Sequence, residues 1–248
     1  MAAGEVPGPI CSSKTLGAVN DGTCARAASP TPGSLGAAGT DLYTLTQELT
    51  ALLHSDQSGA AHEARVADYR RRIQVQRHDK VWQKLRAMRA IRRDVWGTLT
   101  GPQRMDALRE VHRVYVAAFG MVPSPISFEP LSGYGVYVAS EKLLKVNSKL
   151  IEPEYSKPEA VVVELVCTVI HETRHYIQWR VIQRANAFPS FSPSTVKDWA
   201  VDYYVYIDWR KDYQGYRNKP VEADAFKVED VARAMLYPDT LSTESYTD

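Results

Sequence analysis

Apolar and polar positions recur with different periods along this chain, and each period predicts a kind of element. Between residues 41 and 120, apolar residues recur at steps of three and four, which is typical of amphipathic helices. The pattern predicts a helix capped by Thr40 or Asp41, a long helix at Ala61–Leu99 and another at Gln103–Phe119. This part of the chain is therefore predicted to be a helical region.

The pattern changes between Met121 and Ile151, where prolines and glycines interrupt the sequence. Short runs rich in β-branched and aromatic residues predict three strands, at Ile126–Phe128, Tyr134–Val138 and Leu144–Asn147. The stretch from residue 133 to residue 138 is typical of a short edge strand. A small sheet is therefore predicted in the middle of the chain.

Helical spacing returns in the second half of the chain. Val161–Gln183 has the length and the wide apolar face of one helix. A second helix is predicted at Val196–Tyr213, with Ser194 as its N-cap and Gly215 breaking the run. The last helix is predicted at Pro220–Leu236, because Pro is favoured in a first helical turn. Together these elements predict an α+β fold that is mainly helical.

Composition divides the chain into four segments. Residues 1–40 are rich in Gly, Ala, Ser, Thr and Pro and have no period, which predicts a flexible tail or linker. The alternative for this segment is a docking segment or a joint to an upstream domain. Residues 41–120 are predicted to form a helical N-terminal region and residues 121–238 a separate core. The polar residues 239–248 are predicted to be a disordered tail.

Charge and cysteine content exclude few classes of function. The 248 residues carry a formal net charge of +1, which argues neither for nor against nucleic acid as a partner. The long helix is strongly basic, but such a run is more often a solvated face than a nucleic-acid-binding surface. Three cysteines predict a fold that does not rest on disulfides, with a Cys11–Cys24 bridge as an alternative. No apolar segment is long enough to span a bilayer, and the N-terminus lacks a Sec-type signal.

The candidate chemistry is concentrated in the motif HETRH at residues 171–175. Histidines four residues apart lie on one side of a helix, so His171 and His175 can reach one zinc ion at about 2.0–2.1 Å. Glu172 follows the first histidine and is placed to act on a water beside the metal. Burying these three side chains without a metal would cost several kcal/mol of desolvation. The motif therefore predicts a zinc site.

A third protein ligand is expected in a catalytic zinc site, and no histidine follows His175. The candidates are therefore carboxylates farther along the chain. Glu222 and Asp224 stand near the start of the last helix, where neighbouring alanines allow close packing on the histidine helix. Asp202 and Asp208 are less favoured, because they lie on an aromatic-rich helix. Glu229 and Asp230 are less favoured because they are predicted to be solvated.

Three pieces of the chain together resemble a known kind of enzyme: Tyr134–Asn147, His171–Gln178 and Pro220–Phe226. The set is similar to gluzincin-type HExxH metallopeptidases, and among them to toxin-type peptidase domains of bacterial polymorphic toxins and secretion-system effectors. It also resembles the peptidases of phage-repressor control, which have a glycine where this chain has Arg174; this difference favours the toxin-type branch. The resemblance covers about residues 134–238.

The resemblance implies a zincin-like core in which a short sheet, the histidine helix and a C-terminal glutamate helix surround one zinc ion. His171, His175 and Glu222 would hold the metal, and Glu172 would be the general base in peptide-bond hydrolysis. It also implies an effector with a protein or peptide substrate, exported by a specialised secretion system or otherwise cytoplasmic. An immunity protein or the secretion apparatus would then be a further partner.

Two further features of the mechanism are predicted from residues near these motifs. Tyr213 and Tyr216 precede Glu222 and are candidates for the donor that stabilises the oxyanion, although packing is the commoner role of such tyrosines. An extended peptide could add to the edge strand near Tyr134–Val138 by backbone pairing.

Three other functions remain compatible with the sequence. The metal could clip two helices together in a non-catalytic binding module. The basic helix could make the protein a nucleic-acid-binding regulator with a peptidase-like sensor domain. The metal site could also hydrolyse an amide or ester bond outside peptides, because the activation of water would be the same.

Overall fold

The structure, a computed structural model, describes residues 41–152, 158–203, 205 and 210–240. Its fold is α+β and mainly helical, as the sequence predicts. The elements follow in this order: α1 Leu42–Leu53, α2 Ala60–Ala87, α3 Arg93–Trp96, α4 Gly101–Ala117, β1 Ile126–Glu129, β2 Gly135–Val138, β3 Leu143–Asn147, α5 Pro158–Gln183, α6 Pro193–Asp202, α7 Tyr213–Arg217 and α8 Pro220–Leu236. The predicted N-terminal tail, the Cys11–Cys24 pair and residues 241–248 of the predicted C-terminal tail lie outside the described residues.

Side-chain caps explain where the first helices begin. The carboxylate of Asp41 accepts a hydrogen bond from the backbone N–H of Thr44 at 2.9 Å, as expected of an N-cap. Thr100 and Gln103 form a reciprocal capping box at the start of α4. Both helices therefore start at signals that are visible in the sequence.

The predicted long helix at residues 61–99 is wrong after Ala87. α2 ends at Ala87, and the chain then forms a 3-10 turn at Arg89–Ile91 and the short helix α3. This break lets Ile91 and Trp96 turn into the core, where they are almost fully buried. The buried guanidinium of Arg104 donates hydrogen bonds to carbonyl groups of this segment, including Trp96 O at 3.1 Å. Burial of the two side chains and these hydrogen bonds offset the loss of helical continuity.

The sheet has the order β1-β3-β2, with β3 in the centre. β1 pairs with β3 in parallel, and β2 pairs with β3 antiparallel, so that Val136 lies opposite Lys145. The three strands match the predicted ones to within one residue at each end. All four residues of β2 are buried, although β2 lies at an edge of the sheet. Another element must therefore cover this edge.

Helix α5 lies at the centre of the molecule and packs against this edge strand. It packs against β2, α3, α4, α6 and α8. Because neighbours surround it, its polar residues at 168–178 are buried together with its apolar ones. The main hydrophobic core joins α5 to the second half of α2, to α4 and to α8, while α1 and the first half of α2 enclose a smaller cluster. None of the described helices combines the length and the apolar composition that a membrane crossing requires.

The predicted helix at residues 196–213 is also wrong beyond Asp202. α6 begins after the cap Ser192, not Ser194, and ends at Asp202, while Gly215 lies inside the short helix α7. The helix ends at Asp202, whose side chain makes a contact with the start of α8. Asp202 accepts a hydrogen bond from the N–H of Val221 at 2.9 Å and so fixes the start of α8. Residues 204 and 206–209, which include Tyr206, Trp209 and the ligand candidate Asp208, lie outside the described residues.

Candidate metal centre

Two helices bring the candidate ligands together. α5 places His171 and His175 one turn apart, and their Nε2 atoms are 3.1 Å from each other. α8 places Glu222 opposite them, with Oε2 3.4 Å from both Nε2 atoms. The three ligand atoms lie within 4.8 Å of one another, and all three side chains are buried. The arrangement therefore offers two imidazole nitrogens and a carboxylate to one point.

The hydrogen bonds of Gln178 orient the ring of His175. The Nε2 amide group of Gln178 donates to the carbonyl of Val221 at 2.9 Å and to the carboxylate of Asp224 at 2.7 Å. Its Oε1 atom must then accept the hydrogen bond from Nδ1 of His175, at 2.9 Å. The Nδ1 atom therefore carries a proton, which leaves Nε2, facing Glu222, as the ring nitrogen that can bind a metal.

A carboxylate orients the ring of His171 in the same way. Nδ1 of His171 lies 3.0 Å from Oε2 of Glu229, which is only 3% exposed. Arg233 bridges Glu229 and Glu164, so that the negative charge of Glu229 is itself compensated. The expectation that Glu229 is solvated is wrong, because residues 222 and 229 lie two turns apart on the same buried face of α8. Outer partners of this kind fix the tautomer of a metal-binding histidine.

The charges of the group favour a cation between the ligands. Burial by itself lowers the pKa of His171, but the carboxylates of Glu222 and Glu229 outweigh burial and raise this pKa to about 10. Burial also works against an ionised Glu222, yet His175 and His171 together hold the pKa of its carboxyl group well below the ordinary value. Neither oxygen of Glu222 makes a hydrogen bond of good geometry to any residue that the structure describes, although Glu222 is fully buried. A metal cation would satisfy the two nitrogens and the carboxylate together.

Glu172 is held beside this group by the sheet. Its Oε2 atom accepts a hydrogen bond from the backbone N–H of Tyr137 at 2.7 Å, while its buried Oε1 atom has no hydrogen-bond partner among the described residues. Burial raises the pKa of Glu172, against the effect of His171 and His175. The addition of a peptide near residues 134–138 stays a prediction: β2 is an edge strand, its residues are buried, and Glu172 accepts the hydrogen bond from the N–H of Tyr137.

Gly135 permits the close approach of α5 to β2. A Cβ atom at this position would lie 2.9 Å from Cγ2 of Thr168 and 3.0 Å from the carbonyl oxygen of Lys145. The methylene Cγ of Glu172 would be the next neighbour, at 3.8 Å. Gly135 thus sets the spacing that lets the N–H of Tyr137 reach Glu172.

We expect Gly135→Ala to lower the free energy of unfolding by about 1–3 kcal/mol, because α5 and β2 must move apart. Urea denaturation at a fixed zinc concentration measures the effect. Gly101→Ala is the matched control, since a Cβ atom there meets nothing within 4 Å. Adding Thr168→Ser removes the closest methyl group and should restore part of the lost stability. Equal stability of the Gly135 and Gly101 variants would contradict the role given to this contact.

Asp224, the other carboxylate considered as third ligand, lies on a different side of α8. It forms a two-pronged ion pair with Arg174, with distances of 2.6 and 3.0 Å. The guanidinium of Arg174 lies between three aromatic rings, each centroid 5.4–5.6 Å away: Phe119, Phe191 and Trp199. Asp224 therefore reaches the candidate metal centre only through Gln178, and the geometry brings Glu222 rather than Asp224 to the histidines.

The two tyrosines considered as oxyanion donors are placed differently. Tyr213 is 48% exposed, and its hydroxyl lies 3.4 Å from the guanidinium of Arg217. Arg217 lies over the ring of Phe226, which packs edge-on against the ring of His171. Along this path, the side chains of Arg217 and Phe226 lie between Tyr213 and the ligand His171. Tyr216 is buried in α7. A catalytic role for either residue stays a prediction.

Tyr203 is a further candidate that the sequence pattern did not single out for chemistry. Its hydroxyl donates to the backbone carbonyl of His175 at 2.9 Å. Burial raises its pKa well above the usual value, and the nearby charges of Glu222 and Glu172 act in the same direction. Helical spacing placed Tyr203 among the packing aromatics of the predicted helix at residues 196–213. Nothing in the sequence shows that this helix ends just before Tyr203.

The ligand group as a whole is closed to solvent. His171 is 1% exposed, and Glu172, His175 and Glu222 are fully buried. No protein-family model, no curated protein and no solved structure matches this chain. What the centre does must therefore be inferred from its own residues and their geometry.

Proposed function

We propose that this protein is a zinc-dependent peptidase with a zincin-like core, whose metal is held by His171, His175 and Glu222. The observation that carries the proposal is the convergence of two oriented imidazole nitrogens and one buried carboxylate. Two histidines and a glutamate form one of the ligand sets of catalytic zinc, and the set leaves a coordination position open. Bound zinc supplies Lewis acidity, which acidifies water and polarises a carbonyl group.

Glu172 is the proposed general base. One of its oxygens is fixed by the N–H of Tyr137, and the other is left to accept a proton from a water at the centre. A buried carboxylate with a raised pKa takes up a proton more readily than an exposed one. Glu172 then passes the proton to the leaving amine. The hydroxyl of Tyr203, which now donates to the carbonyl of His175, is the proposed donor for the oxyanion.

The proposed substrate is a peptide bond in a protein, and the proposed setting is a toxin-type effector. This part of the proposal rests on the motif around Arg174 and Gln178. Both side chains belong to the network behind His175, so their identity bears on the metal centre. An immunity protein and a specialised secretion system are the partners that such a setting implies.

Complete burial of the ligands favours a second candidate, a metal that only staples α5 to α8. A closed structural zinc site usually has four protein ligands, and such a metal adds to the folding free energy. Glu172 separates the two candidates. A purely structural metal site does not require a buried carboxylate oxygen that lacks a hydrogen-bond partner. A general base does require such an oxygen, because that oxygen accepts the proton.

We expect one equivalent of zinc per chain and saturable binding of a peptide hydroxamate to the zinc-loaded protein. Hydroxamates occupy an open position on a metal, so the visible spectrum of the cobalt-substituted protein should change when the inhibitor binds. The metal-free protein and Glu222→Gln serve as controls and should bind none. Stoichiometric zinc with an unchanged cobalt spectrum at saturating hydroxamate would support the staple and overturn the peptidase. Absence of bound metal would overturn both.

A further inference from the structure

A separate cavity of about 460 Å³ lies between α2, α6, α8 and the Arg174 side of α5. Its volume is in the range of small-molecule sites. The aromatic side chains of Trp82, Phe191 and Trp199 line it, and the valines at its surface are Val75 and Val231. These two valines are 41% and 39% exposed and add apolar surface at the mouth of the cavity.

The cavity carries an excess of positive charge. Arg70, Arg71, Arg174 and Lys227 line it, whereas Asp224 is the one acid among the described lining residues. That acid is already engaged by Arg174 and by the amide of Gln178. Arg71 is paired with Asp68 outside the lining at 2.6 Å, but the described lining itself holds no second carboxylate that faces the arginines and the lysine.

Two buried polar groups at the cavity also favour an anionic ligand. Arg174 is 4% exposed, and its Nη1 atom donates to no acceptor of the described residues within hydrogen-bonding geometry. The Nε2 atom of His78, a second lining residue, is buried and has no hydrogen-bond partner in the described part of the chain. Burial first, and then the positive charge of Arg174, lower the pKa of His78 to about 4, so its ring is neutral at pH 7. The surroundings thus disfavour a further positive charge and favour a negative one.

We propose that this cavity is a binding site for a small amphipathic anion. The ligand carries one anionic group, such as a carboxylate, phosphate or sulfonate, on an apolar or aromatic body. Its anionic group pairs with the arginine and lysine side chains, and its body packs against the aromatic floor. The site does not require the metal, because Asp224 and Gln178 separate it from the ligands of the candidate metal centre.

The fluorescent anion anilinonaphthalene sulfonate and its uncharged analogue phenylnaphthylamine test the proposal on the full-length protein. We expect saturable binding of one sulfonate probe per chain, and binding of the uncharged analogue at least about tenfold weaker. The double variant Arg71→Glu with Lys227→Glu reverses two exposed cations of the lining. It should weaken binding of the sulfonate by about tenfold or more and leave the uncharged probe unchanged.

Two controls keep this test specific. Lys84→Glu with Arg113→Glu makes the same change in net charge at residues outside the described lining, and it should leave both affinities unchanged. Ala67→Trp fills the cavity from an exposed position of α2 and should abolish binding of both probes. The proposal is overturned by the absence of saturable binding to the wild type. Equal effects of the two charge-reversal variants, or full binding to Ala67→Trp, would overturn it as well.

Discussion

Glu222→Gln is expected to lower the zinc affinity of this protein by roughly a thousandfold or more. The substitution keeps the size of the side chain but replaces a carboxylate by a neutral amide at the point where His171 and His175 converge. Loss of an outer hydrogen-bond partner typically costs only about 10–100-fold in affinity, and a lost ligand should cost more. Competition with a chromogenic chelator gives the affinity, and elemental analysis after dialysis gives the metal content.

Two matched substitutions on α8 locate the effect. Glu229→Gln removes the charge that orients His171 and should fall within the range for an outer partner. Asp224→Asn weakens the ion pair with Arg174 and should lower the affinity less than Glu222→Gln does, because it acts through Gln178. If Asp224→Asn removed the metal while Glu222→Gln kept it, the ligand set would have to be reassigned.

Three of the carboxylates of α8, those of Glu222, Asp224 and Glu229, also show how much of the site could be predicted from the sequence. The motif at residues 171–175 and the alanines beside Glu222 were sufficient to predict which helices meet. Helical spacing alone could not decide between residues 222 and 224, because the rotation of α8 about its axis depends on tertiary contacts. Asp202 fixes the start of α8, and the ion pair with Arg174 holds Asp224 on a different side of α8 from Glu222. Both contacts join residues that are distant in sequence.

The fold was predictable where local signals mark the ends of elements. The cap at Asp41, the capping box at Thr100 and Pro220 all lie where the corresponding helices begin. The break after Ala87 has no glycine or proline. It exists because burial of Trp96 in the core stabilises the fold more than continuation of the helix would. The edge strand β2 was predicted, but its burial depends on α5, which Gly135 allows to approach. Errors therefore concentrate where tertiary packing overrides a local preference.

Glu172→Gln is expected to lower the rate of peptide hydrolysis by about 10²–10⁴-fold while leaving zinc content unchanged. The amide oxygen of the new side chain can still accept the hydrogen bond from the N–H of Tyr137, so the strand and helix keep their spacing. Mapping of new peptide N-termini in a digested proteome, with wild type and variant side by side, gives the relative rates. Glu159→Gln, an exposed change in the first turn of α5, is the control and should cleave as wild type does.

Stability separates loss of the base from loss of the fold in this experiment. Burial raises the pKa of Glu172, so in the metal-free protein its ionised form costs stability, and this cost grows as pH rises through the folded-state pKa. A neutral glutamine removes the cost, and Glu172→Gln should therefore unfold at the same urea concentration as the wild type or at a higher one. An inactive variant that keeps zinc and this stability has lost a chemical group rather than its structure. Cleavage at the wild-type rate by Glu172→Gln would exclude Glu172 as the base.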